Sequence, residues 1–183
     1  MFDDRALDAL RAILSRRVSI AIDAPHLRRA CVLLPLIHAK DHWALLLTRR
    51  AENLAAHSGQ IAFPGGGIED GESLENAAIR ETEEEVGIPR DAVELIGRLD
   101  DLVTNSGYLV APFVGVIHEP TEYVIQQSEV VEVFEVPLDA LLDQTTQTLD
   151  AIRAGIDSQS SSVNALVQQA QAGISRAGAE SAE

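Results

Sequence analysis

Gly66-Gly67-Ile68-Glu69-Asp70-Gly71-Glu72-Ser73-Leu74-Glu75-Asn76-Ala77-Ala78-Ile79-Arg80-Glu81-Thr82-Glu83-Glu84-Glu85-Val86-Gly87-Ile88 decides how this chain is read. The glycines at its start let the backbone turn tightly. The rest predicts a helix from about Ser73 to Val86, ended by Gly87, a natural C-cap. On that helix Glu81, Glu84 and Glu85 stand at i, i+3 and i+4 and share a face, while Ile79, Thr82 and Val86 face the core. Carboxylates at this spacing repel one another and destabilise an isolated helix. A bound cation removes that penalty. Oxygen ligands of this kind suit Mg²⁺ or Mn²⁺, which take one or two carboxylates and complete their shell with water and phosphate oxygens. Arg80 can reach a neighbouring carboxylate and hold it. Three glutamates alone make no more than a solvated acidic helix; the glycines and arginine at fixed spacing point further.

Outward from this stretch, the 183 residues suit one domain with a real core, and 46% are hydrophobic. Aromatics make up 4%, so aliphatic side chains must fill the interior. A formal net charge of −15 argues against a nucleic-acid-binding surface and against an anionic membrane surface. The one cysteine, Cys31, sits in the apolar run Cys31-Val32-Leu33-Leu34 and is expected in the core. Met1-Phe2-Asp3-Asp4-Arg5 begins acidic and does not read as a signal peptide. No stretch is apolar enough to span a bilayer, so a cytoplasmic location is expected.

Leu7, Leu10, Ile13 and Leu14 predict a helix over residues 3–15. Ala30–Ile37 and Trp43–Thr48 read as two strands joined at Lys40-Asp41-His42, and Gln60–Phe63 as a short strand stopped by Pro64-Gly65-Gly66-Gly67. Val93–Leu99, Leu109–Ile117 and Val130–Val136 read as further strands, and Pro137–Leu142 as a short helix started by its proline. Strands with few helices imply an α/β fold with a mixed β-sheet, an α/β/α sandwich. After about Asp143 the chain turns rich in Gln, Ala and Ser. Val163, Leu166, Val167, Ala170 and Ile174 share a helical face there, and Gly178–Glu183 reads as a frayed tail. The expected organisation is a domain over residues 1–142 followed by an atypical helical segment over 143–183.

From Gly66 to Ile88 the chain resembles the Nudix box: Gly, five residues, Glu, seven residues, then Arg-Glu-aliphatic-x-Glu-Glu-x-Gly-aliphatic. Gly66, Glu72, Arg80, Glu81, Glu84, Glu85, Gly87 and Ile88 fit; Thr82 stands where an aliphatic residue is usual. The resemblance implies the Nudix fold and a hydrolase of nucleoside diphosphate linkages dependent on Mg²⁺ or Mn²⁺. It implies metal-binding and catalytic roles for Glu81, Glu84 and Glu85, with the carbonyl of Gly65 joining the metal shell. Arg80 would orient a catalytic glutamate, and Glu72 would support the loop and contribute to the metal site or serve as a base. The general base is left open between Glu81 and an acid from a distant loop, Glu129 or Glu132.

Upstream, Leu46-Leu47-Thr48-Arg49-Arg50-Ala51, Gly59 and Phe63-Pro64-Gly65-Gly66 resemble the signature of Nudix coenzyme A diphosphatases, with Ala55 in place of its second arginine. His57 and Gln60 also look like bacterial members, as do Thr104-Asn105-Ser106-Gly107-Tyr108 and Ala111-Pro112-Phe113-Val114-Gly115. The subfamily's aromatic-rich strand and Trp-containing terminal helix have no counterpart after Asp143. The resemblance implies coenzyme A as the small-molecule nucleotide partner, cut to 3′,5′-ADP and 4′-phosphopantetheine. Arg50, Arg49, Gly66 and Phe63 would contact it, a basic residue being expected near the 3′-phosphate. Alternatives are ADP-ribose, a dinucleoside polyphosphate or a damaged nucleoside triphosphate as substrate, or a non-catalytic nucleotide-binding protein. A homodimer is an expectation by resemblance.

Overall fold

The computed structural model describes residues 1–52, 59–118, 122–147 and 149–150. Two compact units are distinguished, Met1–Ala140 and Leu141–Glu183. In the first, α1 (Asp4–Arg16) starts at Asp3, whose side chain accepts the Ala6 N–H. Strands β1 (Arg28–Ala39) and β2 (His42–Arg50) form a hairpin around Lys40, whose φ is 54°. Their antiparallel register runs only from Leu36↔Leu45 to Ala39↔His42. Further from the hairpin tip, the edge of β1 that faced β2 pairs with β4 (Gly65–Gly67), and the matching edge of β2 pairs with β3 (Ile61–Ala62). The two long strands splay apart, and the segment from Ile61 to Gly67 is wedged between them. Two bonds secure the wedge: the Leu33 N–H donates to the Pro64 carbonyl (2.9 Å) and the Thr48 hydroxyl to the Ala62 carbonyl (3.2 Å).

The glycine run was expected to stop a strand. Instead Gly65, Gly66 and Gly67 form one, because Val32, Cys31 and Ala30 offer a free edge there. β5 (Val93–Arg98), β6 (Leu102–Val103) and β7 (Tyr108–Ile117) follow α2 (Leu74–Val86), and β8 (Val130–Pro137) lies antiparallel on β2. β7 runs parallel to β1 from Arg28↔Tyr108 to Ile37↔Ile117, and β5 and β6 lie antiparallel on β7. The sheet, in order β3-β2-β1-β7-β5, is therefore mixed. β6 was not expected from the sequence. Pro137 ends β8 rather than starting a helix; the helix occupies 138–147, past the expected end at 142. The readings made for 53–58 and for 151–183 lie outside the described residues, Ala55, His57 and the apolar stripe from Val163 to Ile174 among them.

Strand alternation gives the sheet two apolar faces. Cys31, Leu33, Ala111 and Phe113 pack under Ala77 and Ala78 of α2, and Ile37, Leu46 and Ile117 under Val86. On the other face Leu36, Trp43, Val114 and Val116 meet Leu7 and Leu14 of α1. This is the expected α/β/α sandwich.

Cys31 is fully buried, as its apolar run implied, and burial pushes its thiol up to about 11 from 9.0. At pH 8 it is expected to react with an aromatic disulfide reagent at least ~100-fold more slowly in the native chain than in urea. Equal rates in the two states would show that the β1–α2 interface opens freely.

Candidate active site

The helix that carries the acids is fixed at both ends. The Ser73 hydroxyl accepts the Asn76 N–H at its start, and Gly87, with φ 75°, closes it in the left-handed conformation. Its orientation grades the glutamates from core to water. Glu85 is buried at 2% exposure beside Val86, Glu81 is half-buried, and the Glu84 side chain is 51% exposed. Thr82 is fully buried, and its hydroxyl donates to the Ala78 carbonyl at 2.7 Å. That bond satisfies the polar group, so a threonine fits where an aliphatic residue is usual.

Arg80 lies at the centre. Its Nε and Nη2 donate to Glu72 (3.0 and 3.1 Å), its Nη1 to Glu81 (3.0 Å) and Glu84 (3.1 Å), and Nη2 also to the Gly67 carbonyl (3.1 Å). Arg80 is 8% exposed. Bonding to the Glu72 carboxylate makes Arg80 hold its own proton more firmly than in water, and Arg80 in turn keeps the Glu72 carboxyl below its ordinary range. Glu72 also accepts the Glu69 N–H at 3.2 Å, closing the loop before the helix.

The β4 glycines permit close approach. A Cβ on Gly66 would stand 2.5 Å from the Glu81 carboxylate, and one on Gly65 would stand 2.2 Å from the Cys31 carbonyl oxygen. The Gly65 N–H donates to Glu85 Oε2 at 3.2 Å, and Arg50 Nη1 to Glu85 Oε1 at 3.5 Å. Burial pushes Glu85 up to about 7; Gly65 and Arg50 pull it down, and the charges of Glu81 and Glu129 push it up. Glu81 is raised too, first by burial and then, against the pull of Arg80, by Glu84 and Glu129.

The acids outside the helix separate. Glu129 sits in a turn whose carbonyl accepts the Ala51 N–H (2.8 Å), close enough for its charge to act on Glu81 and Glu85. Glu132 instead faces Arg49 across the β2–β8 ladder, 3.0 Å away, on the sheet face that carries Trp43. The structure thus gathers Arg50, Gly65, Gly66, Glu72, Arg80, Glu81, Glu84, Glu85 and Glu129, and places Arg49 and Glu132 apart from them. Phe63 is half-buried in the wedge just before Pro64. Two backbone roles had no signal in the residue pattern: the Gly65 N–H on Glu85 and the Gly67 carbonyl under Arg80.

Among the described residues no trio of His, Cys, Asp or Glu side chains is already drawn into a metal-holding group. The donor set is nonetheless all oxygen, and its members carry repulsion that a cation would relieve. Among the same residues no helix is long and apolar enough to cross a membrane.

Comparison with known proteins accords with this geometry. The uncharacterized Nudix hydrolase NudL of Yersinia pestis (strain Pestoides F) is 45% identical over 132 residues, 71% of this chain and 66% of that relative's length. The NudL of Yersinia pseudotuberculosis serotype O:1b is similar to the same extent. The chain thus spans slightly under two thirds of the curated relatives it matches. Among solved structures, the fold is similar to a Nudix hydrolase of M. smegmatis, RenU (TM-score 0.54, 22% identity, 68% of this chain and 86% of that one). It is also similar to a C. elegans Ap4A hydrolase (TM-score 0.53, 18% identity, 70% of this chain and 99% of that one). The NUDIX domain model matches residues 26–154, and with Glu72, Glu81 and Glu84 of the box gathered around Arg80 and Glu85 buried beside them, this chain belongs to the Nudix family.

Proposed function

We propose that the chain is a divalent-metal-dependent hydrolase of a nucleoside diphosphate linkage, with coenzyme A or its derivatives as substrate and 3′,5′-ADP and 4′-phosphopantetheine as products. The observation that carries the hydrolase reading is the Arg80 cluster: one buried guanidinium holds three carboxylates beside a glycine strand with no side chains in the way. The Leu46–Ala51 and Phe63–Gly66 pattern carries the choice of coenzyme A. On this reading residues 1–142 form the catalytic domain, 143–183 are an additional segment, and the enzyme works in the cytoplasm.

Glu81, Glu84, Glu85 and the Gly65 carbonyl are the oxygens that would hold Mg²⁺ or Mn²⁺. When bound, such ions neutralise the diphosphate and lower the pKa of an attacking water. The chain's own residues do the rest. Arg80 fixes the spacing of Glu81 and Glu84, and Glu72 ties the preceding loop to Arg80. Gly66, having no side chain, leaves room for the Glu81 carboxylate to lie against β4, and Phe63 lies in the same wedge. The charge of Glu129 acts on Glu81 and Glu85 while Glu132 is bound to Arg49, which supports Glu129 over Glu132 as the alternative to Glu81 for taking the proton from water.

The test is product analysis with coenzyme A, with and without Mg²⁺ or Mn²⁺, beside Glu84→Gln. Metal-dependent release of 3′,5′-ADP, lost in the variant, supports the whole reading. Cleavage of ADP-ribose or a dinucleoside polyphosphate with coenzyme A left intact rejects the substrate and keeps the chemistry. Nucleotide binding without any turnover rejects the enzyme. A further expectation follows from the Gly66–Glu81 approach: Gly66→Ala should fold yet weaken Mn²⁺ binding roughly tenfold by displacing the Glu81 carboxylate. Unchanged affinity, by titration calorimetry, would show that Glu81 does not hold the metal.

A further inference from the structure

Cationic side chains around a nucleotide site can meet the substrate or can hold the site's own acids. Arg50 is the basic residue expected to read the anionic end of the substrate, and its surroundings point elsewhere. Its backbone is pinned: its N–H donates to the Gln60 carbonyl (3.0 Å), and the next N–H, of Ala51, donates to the Glu129 carbonyl (2.8 Å). The β2–β8 register shifts between Arg49 and Arg50, so that Arg49 pairs with Glu132 but Arg50 with Val130. By alternation Arg50 lies on the face of β2 that carries Ala44 and Leu46, under α2. Its guanidinium meets Glu85 Oε1 while the Gly65 N–H holds Oε2. The Arg50 side chain is 25% exposed and that of Glu85 3%. Glu85 thus has both oxygens held, one by β2 and one by the wedged segment itself.

We propose that Arg50 is a positioning residue: it fixes the Glu85 carboxylate against the β4 glycines and leaves the substrate's anionic groups to other cations. The inference rests on Glu85 being a metal ligand, as in the function proposed above. A carboxylate buried to this degree needs a partner to stay ionised and a second contact to stay oriented. Arg50 supplies the charge and Gly65 the direction. Lysine at position 50 would keep the charge without the planar fork.

The experiment is Mn²⁺ binding by electron paramagnetic resonance without any nucleotide, on wild type, Arg50→Ala, Arg50→Lys, Glu85→Gln and the Arg50→Ala/Glu85→Gln pair. Arg50→Ala should weaken Mn²⁺ binding about tenfold, a typical effect of removing a residue that orients a ligand. Arg50→Lys should recover part of that loss. In the Glu85→Gln background Arg50→Ala should add nothing, because its effect runs through Glu85. In turnover, kcat should fall, and KM for coenzyme A and for 3′-dephospho-coenzyme A should move by the same factor. Thermal unfolding in EDTA identifies any variant that is not folded, and Arg50→Lys carries the comparison if Arg50→Ala fails. Undiminished Mn²⁺ affinity in Arg50→Ala, with KM rising only for the 3′-phosphorylated substrate, overturns the proposal and makes Arg50 a substrate reader. Wild type that binds no Mn²⁺ overturns the metal reading itself, and the role of Arg50 with it.

Discussion

Arg80→Ala is expected to lose about 3–5 kcal/mol of folding stability at pH 7, the usual consequence of removing one partner from a buried ion pair. The magnitude follows from what remains. Arg80 is 8% exposed and is bonded to Glu72, Glu81, Glu84 and the Gly67 carbonyl. Without it, carboxylates from one turn of helix and the preceding loop face one another with no counter-charge, and a backbone carbonyl loses its donor. Urea unfolding in EDTA measures the loss. The pH dependence is diagnostic. Arg80 holds the folded-state pKa of Glu72 below its ordinary 4.5, so that part of the stability is present above pH 4.5 and is lost as pH falls through the folded value. The gap between wild type and variant should therefore narrow in acid. It should also narrow with millimolar Mg²⁺ if Glu81 and Glu84 hold the metal, since a cation replaces some of the missing charge. Arg80→Lys should fall between the two, keeping one charge and losing the fork that spans three acids. A loss under 1 kcal/mol for Arg80→Ala would mean the cluster is no more than a surface network.

The acidic helix was legible because its signals are local. Gly87 ends it one residue after Val86, where the left-handed cap was expected, and Thr82 and Val86 face the core. The long strands were legible from their apolar runs, as was α1, displaced by one residue. What sequence could not show depends on partners distant in the chain. Three glycines carry no alternation, so nothing marked Gly65–Gly67 as a strand; the free edge at Ala30–Val32 makes it one. Helical spacing put Glu81, Glu84 and Glu85 on one face but could not say that the face runs from solvent into the core, because that is set by how α2 lies on β1 and β7. Arg49 and Arg50 are adjacent in sequence and part company only because strand alternation and the β8 register shift send one to Glu132 and the other to Glu85. Glu129 lies in the turn before β8 and Glu132 on the strand itself, which separates two acids the sequence could not rank.

Glu85→Gln is expected to stabilise the metal-free protein and to disable it. Glu85 is 2% exposed and its carboxyl is pushed up to about 7, chiefly by burial. The sign follows from proton binding. Between pH 4.5, the ordinary value, and about 7, the folded chain holds a proton at this site that the unfolded chain has released, so stability falls as pH rises across that window. Above it the full penalty of a buried charge is present; below it there is none. Glutamine has the same shape and no charge, and its carbonyl oxygen can still accept the Gly65 N–H, while the partly exposed Arg50 can turn to water. The variant should gain roughly 2–3 kcal/mol at pH 8 in EDTA, fading to nothing near pH 4.5. Added Mn²⁺ should reverse the order, because wild type gains stability from a bound ligand and the variant gains less. Turnover should fall roughly 100-fold. Chemical unfolding at pH 5, 6.5 and 8, with EDTA or Mn²⁺, separates these effects. A variant no more stable than wild type at pH 8 in EDTA would mean that Arg50 and Gly65 already offset the burial of the charge. A stabilised variant with full activity would mean that Glu85 is a strained structural acid and that Glu81 and Glu84 suffice for the metal. Stabilisation in EDTA together with lost metal response is the outcome expected of a carboxylate kept ionised against the preference of the fold because the reaction needs it.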